Sequence, residues 1–539
     1  MSENPHHWVA AVAIVNFDLE LGQSIEHVEP ASFLLTEQER LNICYLAFPD
    51  SNSGCSGDTC YHFRIRKEYN VTKERDDIGS RDSHFYYGYV FFRQTKGEQF
   101  KRGYFQKSFV LLTRKPYINL YSNIVQIMAP QYFESGKVAI EVAMHNFTCW
   151  EPIVPGKSYQ VPLLGQVLSF HIPSVKDKTQ NKTSEFPGHV LAPKPVVLRS
   201  IVESDVYNTL RPLLPHIGIV WELVLMSEPI VVFGPSPSAT SALVQTLVSL
   251  TAPLRYANDY RPYFTIHDSE FQEFTSKTHT PSRIILGVTN PYFNKALQHW
   301  PNVIILDSDK NKNLKILNPK EHSSSSLRGK PGFYTRYKPF LNKDKNVKKL
   351  LRGDRQRPAE VEDIMLRRYL TELTHTLMIP LEQYISSLMP LQKQLNPFRQ
   401  PPLLQQFQQD AFIASLNESS LKINTDLKGL RGNWKELYRK FIKSPNFELW
   451  FQSKRSEANQ RLELLHVQQL CEADLYRWKT DKHEVEIVDM LLWIRDRYDA
   501  LQRLGDCPDL QDHLKNHIDT LLEVVPTDLQ GTLKPAFNL

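Results

Sequence analysis

The 539-residue chain, 41% hydrophobic and 11% aromatic, is long and apolar enough for two to four domains with substantial cores. Its 64 Lys and Arg against 59 Asp and Glu leave a net charge of +5, which does not demand a nucleic-acid partner but is compatible with an anionic surface. Six cysteines give no zinc signature, since Cys55 and Cys60 lack a second pair or a His pair nearby, and such sparse use favours a reducing compartment.

The first residues lack a cationic start followed by an apolar run of signal length. No stretch approaches the ~18 apolar residues that would span a bilayer, so no transmembrane segment is expected. The sequons at Asn70, Asn146 and Asn181 therefore carry no weight, and the expectation is a cytoplasmic or peripherally bound protein.

In chain order, WVAAVAIVNFDLELGQSIEHVEP from Trp8 is a β-type run with Gly22 placed for a hairpin. Thr36 and Glu39 form a capping box that opens a short helix through Leu41, Ile43 and Tyr45. A Gly- and Ser-rich loop runs from Pro49 to Thr59. YHFRIRK follows as a strand whose Arg64 and Arg66 suit a solvated face. HFYYGYVFFRQTKGEQFKRGYFQKSFVLLT predicts two long antiparallel strands turning at Gly97. Two helices come next, Ile118 to Tyr132 with Gly136 closing it, and Val138 to His145. This order, β-β-α-β-β-β-α-α, is a small meandering sheet with helices packed on it.

The pattern dissolves into Pro, Lys, Asn, Ser and Thr between Ile172 and Pro195, a linker. The second block begins near Val196. Within it, Glu228 to Phe233 reads as a buried strand, followed by a Gly234-Pro235 turn and an apolar helix capped at Ser236 or Ser238. RIILGVTNPYF and VIILDSD add two more buried strands, and a polar loop runs from Asp309 to Gly332. Beyond Tyr334 the character is helical. Residues 446–479 hold no Pro or Gly, and further helices are expected at 483–503 and 508–523. The modules expected are thus 8–171, a linker at 172–195, 196–333, 334–479 and 480–539, an α/β multi-module chain with a helical C-terminal region.

Chemistry is hard to place on this scaffold. The turn at Gly234 has no Lys before the helix ends, and its two prolines lack the N–H groups a phosphate loop needs. Ser238 stands where G-x-S-x-G requires glycine. A hydrolase reading would need a partnered His near this turn. The nearby His267 has Asp268 beside it, and adjacent residues in an extended segment point to opposite faces. No cofactor or metal is expected.

Five blocks resemble the DENN-domain family, most closely the branch called DENN domain-containing protein six. They are WVAAVAIVNFDLELGQSIEHVEP with LTEQERLNICYLAFPDSNSGC; EPIVVFGPSPSATSALVQTLVSLTAPLRYANDYRPYFTIHDSEF; GVTNPYFNKALQHWPNVIILD; KPGFYTRYKPFLNKD; and GNWKELYRKFIKSPNFELWF. They extend in order from about Trp8 to Leu475. The resemblance implies a longin-like upstream module, a Rossmann-like central module and a helical downstream region. It also implies guanine-nucleotide exchange on a Rab-family small GTPase in endosomal recycling, with the Rab held between the first two modules.

An exchange factor needs no nucleophile or metal, only a surface that prefers the nucleotide-free GTPase. Polar and aromatic loop residues of both modules are the candidates for that surface: Asp18, Asp50, Arg64 and Arg66 in the first, and Arg261, Tyr263, His267, Asp268 and Asn290 in the second. Each also has a local reading, as turn residue, solvated strand face or core side chain with a satisfied polar tip. The same folds could serve a Rab-binding scaffold or effector without exchange activity. Finally, nine basic residues between Arg336 and Arg357, including Lys348, Lys349 and Arg352, suggest contact with an anionic membrane.

Overall fold

The computed structural model describes residues 8–531, apart from 19, 21, 51–56, 69–83, 98–103, 175–195, 199, 203–204, 277–282, 310–311, 319–329, 343–356, 392–394, 417–431, 481, 505–507 and 528. Gly22, at φ +76, links strands β1 (Ala11–Asp18) and β2 (Gly22–Glu29). Helix α1 (Glu37–Leu46) opens on the expected box: Thr36 Oγ1 accepts the Glu39 N–H at 3.2 Å, and Glu39 Oε2 accepts the Thr36 N–H at 3.0 Å. Strands β3 (Gly57–Arg66), β4 (Phe85–Lys96) and β5 (Tyr104–Thr113) complete an antiparallel sheet in the order β2-β1-β5-β4-β3. Most of the turn expected after Gly97 lies outside the described residues.

Period-two alternation sends Val12, Ile14, Tyr87, Tyr89, Phe109 and Leu111 to the face covered by α2 (Ile118–Ser135) and α3 (Lys137–Cys149). Ala13, Val15, Phe63, Val90 and Val110 face α1 instead. The solvated face expected for β3 survives only at Arg66, whose side chain is 57% exposed. His62 and Arg64 are 5% and 3% exposed, because the sheet is covered on both sides. Burial drives the His62 imidazole down to about 3, so it packs neutral against Tyr89. A hairpin of β6 (Ser158–Leu163) and β7 (Gln166–His171), with β8 (Val196–Val197) parallel to β7, follows as a small sheet. The linker residues 175–195 lie outside the described set.

The second block carries α4 (Val206–Leu210), α5 (Ile217–Leu225), β9 (Ile230–Phe233), α6 (Pro237–Ser249), β10 (Tyr260–Arg261), α7 (Phe271–Thr275), β11 (Ile285–Val288), α8 (Tyr292–Ala296), β12 (Asn302–Ile305), β13 (Ile316–Leu317) and β14 (Gly332–Thr335). Ser236 is the N-cap of α6, its Oγ accepting the Ala239 N–H at 3.3 Å, and Pro237 begins the helix. The sheet runs β10-β11-β9-β12-β14-β13, with β10, β11, β9 and β12 parallel and β14 antiparallel to β12. The polar loop after Asp309 thus returns strands β13 and β14 to this sheet. Gly287 lets β11 come close to the strand beside it, since a Cβ there would stand 2.2 Å from the Pro262 carbonyl oxygen.

The remaining helices are α9 (Ala359–Ser387), α10 (Gln409–Ser415), α11 (Trp434–Phe441), α12 (Pro445–Glu472), α13 (Leu475–Lys479), α14 (Glu484–Leu504) and α15 (Pro508–Leu522). The long Pro- and Gly-free stretch is therefore two helices, broken where Asp474 caps α13 by accepting the Arg477 N–H at 3.1 Å. The chain divides into two compact units, one of Met1–His375 with Thr425–Phe447, the other of Thr376–Asn424 with Glu448–Leu539. In the first, Asn446 Nδ2 donates to the carbonyls of Val224 and Leu225 at 2.9 and 3.0 Å, satisfying the open end of α5. In the second, Leu470, Leu491, Ile494, Leu514, Ile518 and Leu521 form the core of the terminal helices.

Candidate functional site

The first two blocks of the larger unit meet along β3. Because Arg64 and Arg66 are two apart on that strand, both point to the same side. There they find Asp259: Arg64 Nη1 lies 3.0 Å from Oδ1 and Arg66 Nη2 lies 3.4 Å from Oδ2. Arg261, two residues on, joins Asp259 at 3.1 Å and also pairs with Glu270, which Arg66 reaches at 3.3 Å. The Arg64 guanidinium lies between the Phe85 ring at 3.5 Å and the Tyr260 ring at 4.2 Å. Three guanidinium groups and the carboxylates of Asp259 and Glu270 are thus interlocked at a largely buried seam.

An aromatic contact continues the seam. Tyr263 is fully buried in the core of the first block, edge-on to Tyr61 at 5.3 Å. Its hydroxyl accepts the Asp50 N–H at 2.7 Å and donates to the Phe48 carbonyl at 3.4 Å. At the outer margin His267, exposed, stacks on Tyr45 of α1 at 4.7 Å. Leu41, 42% exposed and one helical turn before Tyr45, and Ile266, 36% exposed, flank this stack; Leu34, 87% exposed, precedes the helix. A partly exposed apolar and aromatic stripe, centred on the half-buried Tyr45 and exposed His267, therefore runs from one block onto the other.

Seven of the nine candidate contact residues, Asp50, Arg64, Arg66, Arg261, Tyr263, His267 and Asp268, gather at this seam. Four need correction as surface contacts. Arg64, Arg261, Tyr263 and Asp268 are 3%, 1%, 0% and 8% exposed, so their side chains fasten the blocks together and have no free face for a partner. Asp18 and Asn290 serve local turns, accepting the N–H groups of Glu20 at 2.7 Å and Tyr292 at 2.9 Å. His267 and Asp268 lie in a turn and not in an extended segment, the Asp268 N–H bonding the Thr265 carbonyl at 3.2 Å; one side chain is exposed and the other buried. Lys348, Lys349 and Arg352 lie outside the described residues. Sequence reasoning passed over Asp259, Glu270, Tyr260 and Tyr45. The D-x-R spacing of Asp259 and Arg261, complementary to R-x-R in β3, is the signal that could have found the first.

Asp268 gives the seam a pH dependence. Burial pushes its carboxyl up to about 6, against the pull of Arg261 and the Glu270 N–H. A carboxyl raised in the folded state binds its proton more tightly there than in the unfolded chain. Its contribution is therefore full below the unfolded value near 4 and is lost as pH rises through 6, on the order of 3 kcal/mol in all. Asp268→Asn should raise the melting temperature at pH 7.5 and lose that advantage as the pH falls to 5. A constant difference between the two proteins in thermal melts across this range would contradict the assignment.

An antiparallel block fastened by ion pairs to a mostly parallel block, followed by helices, is a mixed α/β multi-module architecture consistent with the DENN class. The C-terminal stretch 475–536 matches the family model described as the DENND6 C-terminal domain. The chain is 42% identical to the protein DENND6A of Mus musculus over 551 residues, covering 98% of this chain and 90% of that one. It is 41% identical to DENND6B of Homo sapiens, covering 98% and 93%, and 31% identical to the DENND6 homolog of Dictyostelium discoideum, covering 95% and 80%. The chain belongs to the DENND6 family of DENN-domain proteins. Among the described residues no helix is long and apolar enough to cross a membrane.

Proposed function

We propose that the protein is a guanine-nucleotide exchange factor for a Rab-family small GTPase, acting peripherally on recycling endosomal membranes without covalent chemistry of its own. The observation that carries this reading is the stripe of half-buried Tyr45 stacked on exposed His267, with exposed Leu41 and Ile266 near them in the chain, supported on a seam that already holds the two blocks in one arrangement. Catalysis of release needs tighter binding of the empty GTPase than of its GDP form. A surface set before the partner arrives spends little of its binding energy on its own ordering.

The sheet order β2-β1-β5-β4-β3 with helices on both faces supports reading the first block as longin-like. The four parallel strands with α6 crossing between β9 and β10 support a Rossmann-like second block. Arg66, with a side chain 57% exposed on the seam, is the proposed charged contact. The test is release of fluorescent GDP from a panel of purified Rabs. Acceleration is expected for one or two. Leu41→Asp or His267→Asp should lower kcat/KM for those at least about tenfold, with little change in melting temperature. Silence on every Rab would refute the proposal.

A further inference from the structure

Two of the family-like stretches, RYKPFL and GNWKELYRK, lie far apart in the chain and meet on the larger unit. The Asn433 N–H donates to the Phe340 carbonyl at 2.9 Å, and Leu341 pairs with Gly432 in an isolated antiparallel bridge. Gly432 permits the approach, since a Cβ there would stand 2.4 Å from the Phe340 carbonyl oxygen. Helix α11 then turns Leu437, Tyr438 and Phe441 inward and leaves its charged side in solvent.

The surface so assembled is strongly cationic. Arg336 and Lys338 are exposed on the strap, and Lys435, Arg439, Lys440 and Lys443 are exposed on and just after α11. Lys435 and Arg439 are four apart, which in a helix places them along one side, and Lys443 follows in the turn after α11. Glu436, paired with Arg439 at 3.1 Å, is the acid within α11, and Glu222, beneath the strap, is fully buried. Half-buried Phe340 lies under the Lys440 ammonium at 4.9 Å, and half-buried Trp434 begins the helix.

We infer that this strap-and-helix face docks on an anionic lipid bilayer. Six exposed cations on the strap, on α11 and just after it, against one half-buried acid, are complementary to a negatively charged leaflet. It is separate from the stripe assigned to the GTPase and rests on different residues, so its test stands apart from exchange activity.

The test is co-sedimentation of the full chain with phosphatidylcholine vesicles with and without phosphatidylserine, at low and raised salt. Binding should require phosphatidylserine and weaken with salt. The triple variant Lys435→Glu, Arg439→Glu, Lys443→Glu should bind at least about 100-fold more weakly, at roughly fivefold per cation removed. Because all three side chains are exposed, its melting temperature should be unchanged; Arg336→Glu with Lys338→Glu tests the strap by itself. No binding by the unaltered chain would overturn the inference. So would equal binding by the triple variant, loss confined to Lys348→Glu, Lys349→Glu, Arg352→Glu, or capture of a short RNA duplex with no vesicle binding.

Discussion

Replacing Arg261 with Met should cost about 3–5 kcal/mol, the usual result of removing one partner from a buried ion cluster. Met fills most of the volume, so the loss is chiefly electrostatic. Asp259 would keep Arg64 and Arg66, but Glu270 would retain only the exposed Arg66, and Asp268 would lose the cation that opposes its burial. A double-mutant cycle isolates the effect: Arg261→Met with Glu270→Gln should recover part of the stability, because it removes the stranded charge. Exchange activity should fall with the single change even at temperatures where the chain remains folded, since the stripe spans the seam that Arg261 holds. Chemical denaturation of the Arg261 variant within ~1 kcal/mol of the unaltered protein would show that the cluster carries little of the junction.

Glu222→Ala should be of similar size, for a different reason. Glu222 is fully buried on α5, where its carboxylate accepts the Tyr337 hydroxyl and the N–H groups of Phe340 and Leu341, each at 2.9 Å. Burial raises its carboxyl above the ordinary range, while these three donors and Lys440 pull the other way. Truncation to Ala leaves three buried or half-buried donors without their acceptor, at ~1–3 kcal/mol each, so a total of about 4 kcal/mol is expected. Glu222→Gln keeps one acceptor oxygen and turns an amide toward a donor, and should fall between. Denaturant midpoints for the three proteins should rank in that order; Ala and Gln variants of equal stability would deny the carboxylate its bridging role.

The sequence was most legible where structure is local. The Thr36–Glu39 box, the Gly22 hairpin, the Ser236 cap and the apolar run of β1 are set by neighbours a few residues apart, and each was found in place. Helix α9 falls in the helical region expected after Tyr334 but was not delimited, because its apolar spacing is diluted by charged residues and interrupted by Pro380. The seam was hardest to read. Arg64, like the exposed Arg66, looks solvated from sequence because its partner, Asp259, is 195 positions away. A strand with basic residues on alternate positions resembles a wet face until the complementary acid is seen across the junction. Asp50, Tyr263 and His267 were assigned to one two-module surface through the family resemblance; of the three only Tyr263 is buried, as its local reading as a core side chain with a satisfied polar tip allowed.

The central claim is that the stripe and its seam form a surface fitted to an empty GTPase. It is tested most directly by measuring the affinity of the full chain for a responsive Rab in its nucleotide-free, GDP-bound and GTP-bound forms. Exchange activity predicts tightest binding to the nucleotide-free form, by on the order of 10⁴ over the GDP form, or about 5.5 kcal/mol, with Leu41→Asp and His267→Asp abolishing most of that difference. Tightest binding to the GTP form would contradict the account and mark the protein as an effector.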